Sequence, residues 1–185
     1  MSRDQSISHY LERCYDDASL IAALSTARTD LPSALSLFTE RQDQQIIELL
    51  HEFAFHGRKL LELVKREQWE SAKYAHQLSD AAHREDADGE VTEAEMSLWD
   101  IFGRLIHSDK VSIDRSVVPS ADGNETVGEA AWAFNVTSDK DKDGSSTFVF
   151  LEFLLVEFLD LEQQIRRDMR LSAINGPQIR PDRGG

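Results

Sequence analysis

The sequence predicts a mainly α protein: an up-and-down helical bundle with a small antiparallel β insertion before the last helix. Three observations predict it. Apolar residues recur at three- and four-residue steps through the first half of the chain. Between about residues 110 and 150 the period falls to two, and from Leu151 to Met169 the helical period returns. With 185 residues, 41% of them hydrophobic and nine of them Phe, the chain can fill one core. We read a single domain over 1–172, a β excursion over about 110–150, and a disordered tail over 173–185.

Each element has its own signal. Leu11, Cys14, Ala18 and Ile21 form one helical stripe. Thr29-Asp30-Leu31-Pro32 breaks it, with Thr29 or Asp30 as a cap and Pro32 in the first turn of the next helix. Ile46, Leu49, Phe53, His56, Leu60 and Val64 then hold the helical period, with Gly57 as a weak point. Trp69 to Leu78 continues helical after a kink, and His83 to Gly89 is a polar loop. Thr92 with Glu95 is a capping-box signature, opening a helix that carries Met96, Trp99, Phe102, Leu105 and Ile106. Val111, Ile113 and Val117 sit at strand spacing, Trp132, Phe134 and Val136 alternate in the same way, and Thr147 to Phe150 is a third β-prone piece. Leu151, Leu154, Leu155, Phe158, Ile165 and Met169 close the chain as helix.

Charge and cysteine content exclude several functions. The formal net charge is −14, which repels nucleic-acid phosphates and leaves room only for a narrow basic groove between protomers. The single Cys14 excludes an intramolecular disulfide and a multi-cysteine zinc site. Phe148 to Leu161 is the most apolar stretch, but Glu152, Glu157 and Asp160 interrupt it, so no membrane span is expected. The polar N-terminus carries no signal-peptide pattern, and the expected location is cytoplasmic.

Metal and cofactor motifs fail on spacing. Asp139 to Gly144 starts like a calcium loop, yet Phe150 stands where the bidentate Glu belongs. Asp86 to Glu95 fits the latter half of such a loop, but Arg84 occupies its first ligand position. Both are read as solvated acidic turns, with a calcium-responsive module as a third, weaker option. His51 and His56 are five apart, which turns them about 140° away from each other and rules out a zinc helix. We therefore assign no metal ligands and no cofactor.

Two segments carry chemistry. His56 shares the apolar stripe of the long helix, and Arg58 lies about 200° round from it. Asp100, Arg104 and His107 fall four and three apart, forming one polar stripe on their helix. An Arg that binds phosphate and a His that moves a proton near neutral pH are the minimum parts for metal-free phosphodiester cleavage. Their bland reading is an ion pair and a histidine near a helix end.

His56-Gly-Arg58-Lys-Leu60 in a long helix, then Arg104-Leu-Ile-His107, then a short β excursion with Trp132 before a last apolar helix, together resemble the HEPN superfamily over about residues 40–170. The resemblance implies a helical bundle that forms homodimers, with the Arg/His pair at the two-fold interface. It implies a metal-independent ribonuclease of the toxin or phage-defence kind, with RNA as substrate. Arg104 would bind the scissile phosphate and His107 would serve as general acid/base, with His56, Arg58 and Asp100 as binding residues. Active members place four to six residues between Arg and His, where this chain has two. The alternative reading is a non-catalytic helical dimerisation or protein-interaction module.

Overall fold

The computed structural model describes residues 3–27, 36–86, 88, 90–119, 126–138 and 145–175. Five helices and five strands lie among them, in the order α1 (Arg3–Thr26), α2 (Ser36–Glu67), α3 (Glu70–Tyr74), β1 (Ala82–Glu85), β2 (Val91–Glu93), α4 (Leu98–Ile106), β3 (Ser108–Pro119), β4 (Thr126–Ser138), β5 (Ser146–Phe150) and α5 (Leu151–Asn175). The strands form one antiparallel sheet in the order β2-β1-β5-β4-β3.

This corrects the expected helical bundle. The fold is α+β, with a five-stranded sheet as a layer of its own. Two strands escaped the sequence because they carry no apolar alternation: β1 reads Ala-His-Arg-Glu, and β2 reads Val-Thr-Glu with all three residues exposed. The sheet exists because β1 pairs with β5, which joins the polar stretch expected as a loop to the late β excursion. The helix expected after Thr92 starts later. Thr92 lies in β2, and the capping box is Ser97 with Asp100, which opens α4 at Leu98. The segment expected as helix over Trp69–Leu78 is helical only over Glu70–Tyr74. The last helix continues to Asn175, beyond the expected boundary at 172; the Thr29–Pro32 cap, the Asp139–Gly144 loop and residues 176–185 lie outside the described residues.

The helices bury the stripes their sequences carry. Ile7, Leu11, Cys14, Ala18 and Ile21 on α1 meet Ile46, Leu50, Phe53, Leu60 and Val64 on α2, and Leu154, Phe158, Leu161 and Ile165 on α5 join Leu98, Ile101, Phe102 and Leu105 on α4 on the helical side of the core. The inner sheet face adds Phe134, Val136 and Val149. Full burial of each large apolar side chain contributes about 1.5–3 kcal/mol. Phe53 stands edge-on to Phe102 at 5.2 Å and to Phe158 at 5.0 Å, so one ring of α2 locates α4 and α5 together. α2 ends in a Schellman motif: Gln68 takes φ 60°, its N–H donates to the Lys65 carbonyl, and the Trp69 N–H donates to the Val64 carbonyl.

One irregularity decides what the sheet displays. Asp114 pairs with Ala133 and Arg115 with Ala131, so Trp132 is the extra residue of a β-bulge. Phe134 and Val136 face the core, while the bulge turns Trp132 to the opposite face, where it is 42% exposed. Arg115 stays inside, with Nη2 2.6 Å from Asp43 Oδ1, and ties β3 to α2. No described helix is long and apolar enough to cross a membrane.

Gly57 and Gly103 give a paired test of the α2–α4 contact. A Cβ on Gly57 would stand 2.5 Å from Phe102 Cε2, whereas one on Gly103 would meet only Arg58 Nη1, at 3.5 Å. Gly57→Ala is expected to cost about 1–3 kcal/mol through overpacking. Gly103→Ala is expected to be neutral or to stabilise by up to about 1 kcal/mol, because alanine is the better helix former. Urea denaturation of both variants measures the difference.

Candidate functional site

The five residues expected to form a site do not converge. His56 points from α2 towards α1, with Nδ1 2.7 Å from Asp17 Oδ2; the side chains are 19% and 8% exposed. Tyr10 stands beside the imidazole at 6.2 Å. Arg58, on another side of α2, lies over Trp99 of α4, its guanidinium carbon 3.6 Å from the ring centroid and Nη1 donating to the Trp99 carbonyl at 3.0 Å. Burial lowers the Arg58 pKa from its usual value, and the carboxylates of Glu62 and Asp100 offset part of that shift. Arg58, expected as a binding residue, is part of the α2–α4 junction, in a cation–π contact.

Asp100 works as a cap. Its Oδ2 accepts the Ser97 N–H at 3.1 Å and the Ser97 hydroxyl at 2.6 Å, while the Ser97 Oγ accepts the Asp100 N–H. Arg104 is half-buried on α4, and His107 is exposed at the C-cap. So Arg58 and Asp100 come near each other around Trp99, His56 faces away to α1, and Arg104 and His107 follow one another along α4.

A different hydroxyl–imidazole pair escaped the sequence. His51 Nε2 lies 2.9 Å from Ser108 Oγ, and His51 Nδ1 lies 2.9 Å from the Ile47 carbonyl, to which it donates. A base oriented by a third group and bonded to a hydroxyl is the geometry of an activated nucleophile. Here the single proton of the Ser108 hydroxyl is directed at the Leu105 carbonyl at 2.8 Å, which marks a helix-end contact. Two cavities among the described residues, of about 360 and 420 Å³, have neither residue in their walls. His51 and His56 face opposite neighbours, as their five-residue spacing requires. Among the described residues no group of three or more His, Cys, Asp or Glu could hold a metal. Asp86, once weighed as a calcium ligand, has its Oδ1 engaged by the N–H groups of Asp88 and Glu90 in the β1–β2 turn. Burial, helped by Asp17, raises the Cys14 thiol pKa far above its usual range, so the thiol is unreactive.

The surface that stands out is the outer face of the sheet. Trp132 lies 5.3 Å from both Phe148 and Phe150, these two stand edge-on at 5.1 Å, and Phe150 meets Phe153 of α5 at 5.5 Å. His83 of β1 joins edge-on to Phe150 at 5.1 Å. None of these rings belongs to the core cluster. Ala133 is fully buried, yet it too stands outside that cluster, covered from the outer side. Beside the rings runs a polar row: Asn135 Nδ2 donates to Asp114 Oδ2 at 2.8 Å, and the Ser146 hydroxyl lies 3.3 Å from both Asn135 Oδ1 and Glu85 Oε2. Burial and the Glu85 charge raise the Asp114 pKa, against the Asn135 hydrogen bond. The sequence signal for this face was present in the Phe148/Phe150 alternation; the bulge that adds Trp132 had none. No family model, curated protein or solved structure matches this chain.

The two histidines separate a packing role from an exposed one. His56→Ala and Asp17→Ala are each expected to cost about 1–3 kcal/mol by leaving a buried partner unsatisfied, and their effects should couple in a double-mutant cycle. His107→Ala should change stability by less than about 0.5 kcal/mol. Thermal denaturation reads all of them.

Proposed function

We propose that this chain is a non-catalytic protein-interaction module that binds a partner through the outer face of its sheet. The observation that carries the reading is the Trp132/Phe148/Phe150 cluster, which lies outside the core on the face opposite the helices. Trp132 is exposed, with Phe148 and Phe150 half-buried beside it, and aromatic side chains give large contact area at low entropic cost. The scaffold beneath is rigid: Phe134, Val136 and Val149 anchor the same strands from the other side.

The ribonuclease reading requires Arg104 and His107 to act with His56, Arg58 and Asp100 in one groove between two protomers. Three of those five hold the monomer together. His56 binds Asp17, Arg58 binds Trp99, and Asp100 caps α4. The five-stranded sheet also departs from the helical bundle that the HEPN resemblance implied. These observations favour interaction over catalysis.

Selection of peptides from a random display library tests the proposal beside an RNA cleavage assay. Enriched peptides are expected to lose about tenfold in affinity on Trp132→Ala and nothing on Arg104→Ala or His107→Ala. Single-stranded RNA should stay intact with the wild-type protein. Cleavage that disappears with Arg104→Ala or His107→Ala would overturn the interaction reading.

A further inference from the structure

The aromatic face does not end at the sheet. Phe153, in the first turn of α5, touches Phe150 on one side and lines a groove of about 360 Å³ on the other. The groove is bounded by α5, the start of α4 and the segment between α3 and β1. Its apolar residues are Leu98, which is buried, and Leu78, Phe153 and Val156, which are 69%, 48% and 50% exposed. Three apolar side chains held open beside one cavity are a surface with no cover among the described residues.

The polar side of the groove has one sign. Asp80, Glu157 and Asp160 line it, with Tyr74 and Gln77, and among the described residues no Lys, Arg or His does. Glu157 is committed to the scaffold, since its Oε1 accepts the Asp80 N–H at 2.9 Å. Burial raises the Tyr74 phenol pKa, and the nearby carboxylates of Asp160 and Glu157 add to the shift. A cationic side chain entering here would meet only acidic charge among the described lining residues and would relieve like-charge repulsion.

We propose that this groove receives a basic amphipathic segment of a partner protein, with an apolar side chain against Leu78, Phe153 and Val156 and flanking Lys or Arg side chains on Asp80 and Asp160. The inference rests on the interaction-module reading and specifies the partner's chemistry. Charge complementarity decides among occupants. A second copy of this chain brings 34 acidic against 20 basic residues to an acidic rim, and RNA brings phosphates to it.

The test uses the full chain and helical peptides of about 16 residues, long enough to fold on contact, with Leu on one face and Lys, Gln or Glu on the other. The Lys peptide is expected to bind, more weakly as salt rises, and the Gln and Glu peptides are not. Leu78→Ser and Val156→Ser change exposed positions and should each weaken the Lys peptide about tenfold with an unchanged melting temperature. Asp80→Asn with Asp160→Asn should weaken it about threefold and flatten the salt dependence. Equal binding of the Lys and Gln peptides overturns the basic-partner inference. Lys-peptide binding that falls with Trp132→Ala but not with Leu78→Ser or Val156→Ser overturns the groove while the sheet-face reading stands. Display selection that yields no Trp132-dependent peptide removes that reading as well. Sedimentation and an oligouridylate titration run alongside. Self-association or RNA binding abolished by Leu78→Ser would assign the groove to a second copy or to nucleic acid instead.

Discussion

The closeness of α2 to α4 at Gly57 is the constraint on which the rest of the structure depends. Phe102 sits where any larger residue would put its Cβ. From that position its ring meets Phe53 edge-on, and Phe53 meets Phe158 in the same way, so three helices take their places from one hollow in α2. The same helix reaches α1 through His56 and Asp17, and β3 through Asp43 and Arg115. A glycine inside a long helix costs roughly 1 kcal/mol in propensity. The buried aromatic contacts it permits offset that cost, since edge-to-face pairs contribute about 0.5–1.5 kcal/mol each beyond their area.

That arrangement explains why the His-Gly-Arg run of α2 draws the eye in the sequence without forming a site. Three successive helical positions point about 100° apart, so each addresses a different neighbour. His56 meets α1, Gly57 admits Phe102, and Arg58 covers Trp99. The chemistry of a histidine and an arginine in sequence proximity is used here for packing. A nearby carboxylate or carbonyl satisfies each of them, as buried polar groups require.

The helices were legible because their burial follows a single period that the side chains carry themselves. α1, α2 and α5 are where the stripes of Leu11–Ile21, Ile46–Val64 and Leu151–Met169 place them. The sheet was legible only in part, because strand pairing is a property of two segments at once. β1 carries His83, Arg84 and Glu85, which read as loop until β5 hydrogen-bonds to them across more than sixty residues. The outer face depended on a step still harder to see. A bulge is a register mismatch between β3 and β4, and nothing in either strand alone reveals that Trp132 turns away from Phe134. The pairing of Arg104 with His107 was equally a matter of spacing on one helix, which fixes a shared stripe but not a cavity for it to line.

The acidic balance of the chain bears on why an aromatic face can stay open. An aromatic patch on a sheet face next to strand edges invites association of identical chains. Here Glu85 and Asp114 stand beside the rings, and the short edge strand β2 is fully exposed and ends in Glu93. Face-to-face contact between copies would bring these carboxylates together; the Asp114 pKa is already raised by burial and, beyond that, by the neighbouring Glu85 charge. On the proposed reading, the same groups would attract a partner of opposite charge, most strongly at low ionic strength. On that reading, one set of carboxylates would oppose self-pairing and favour basic partners.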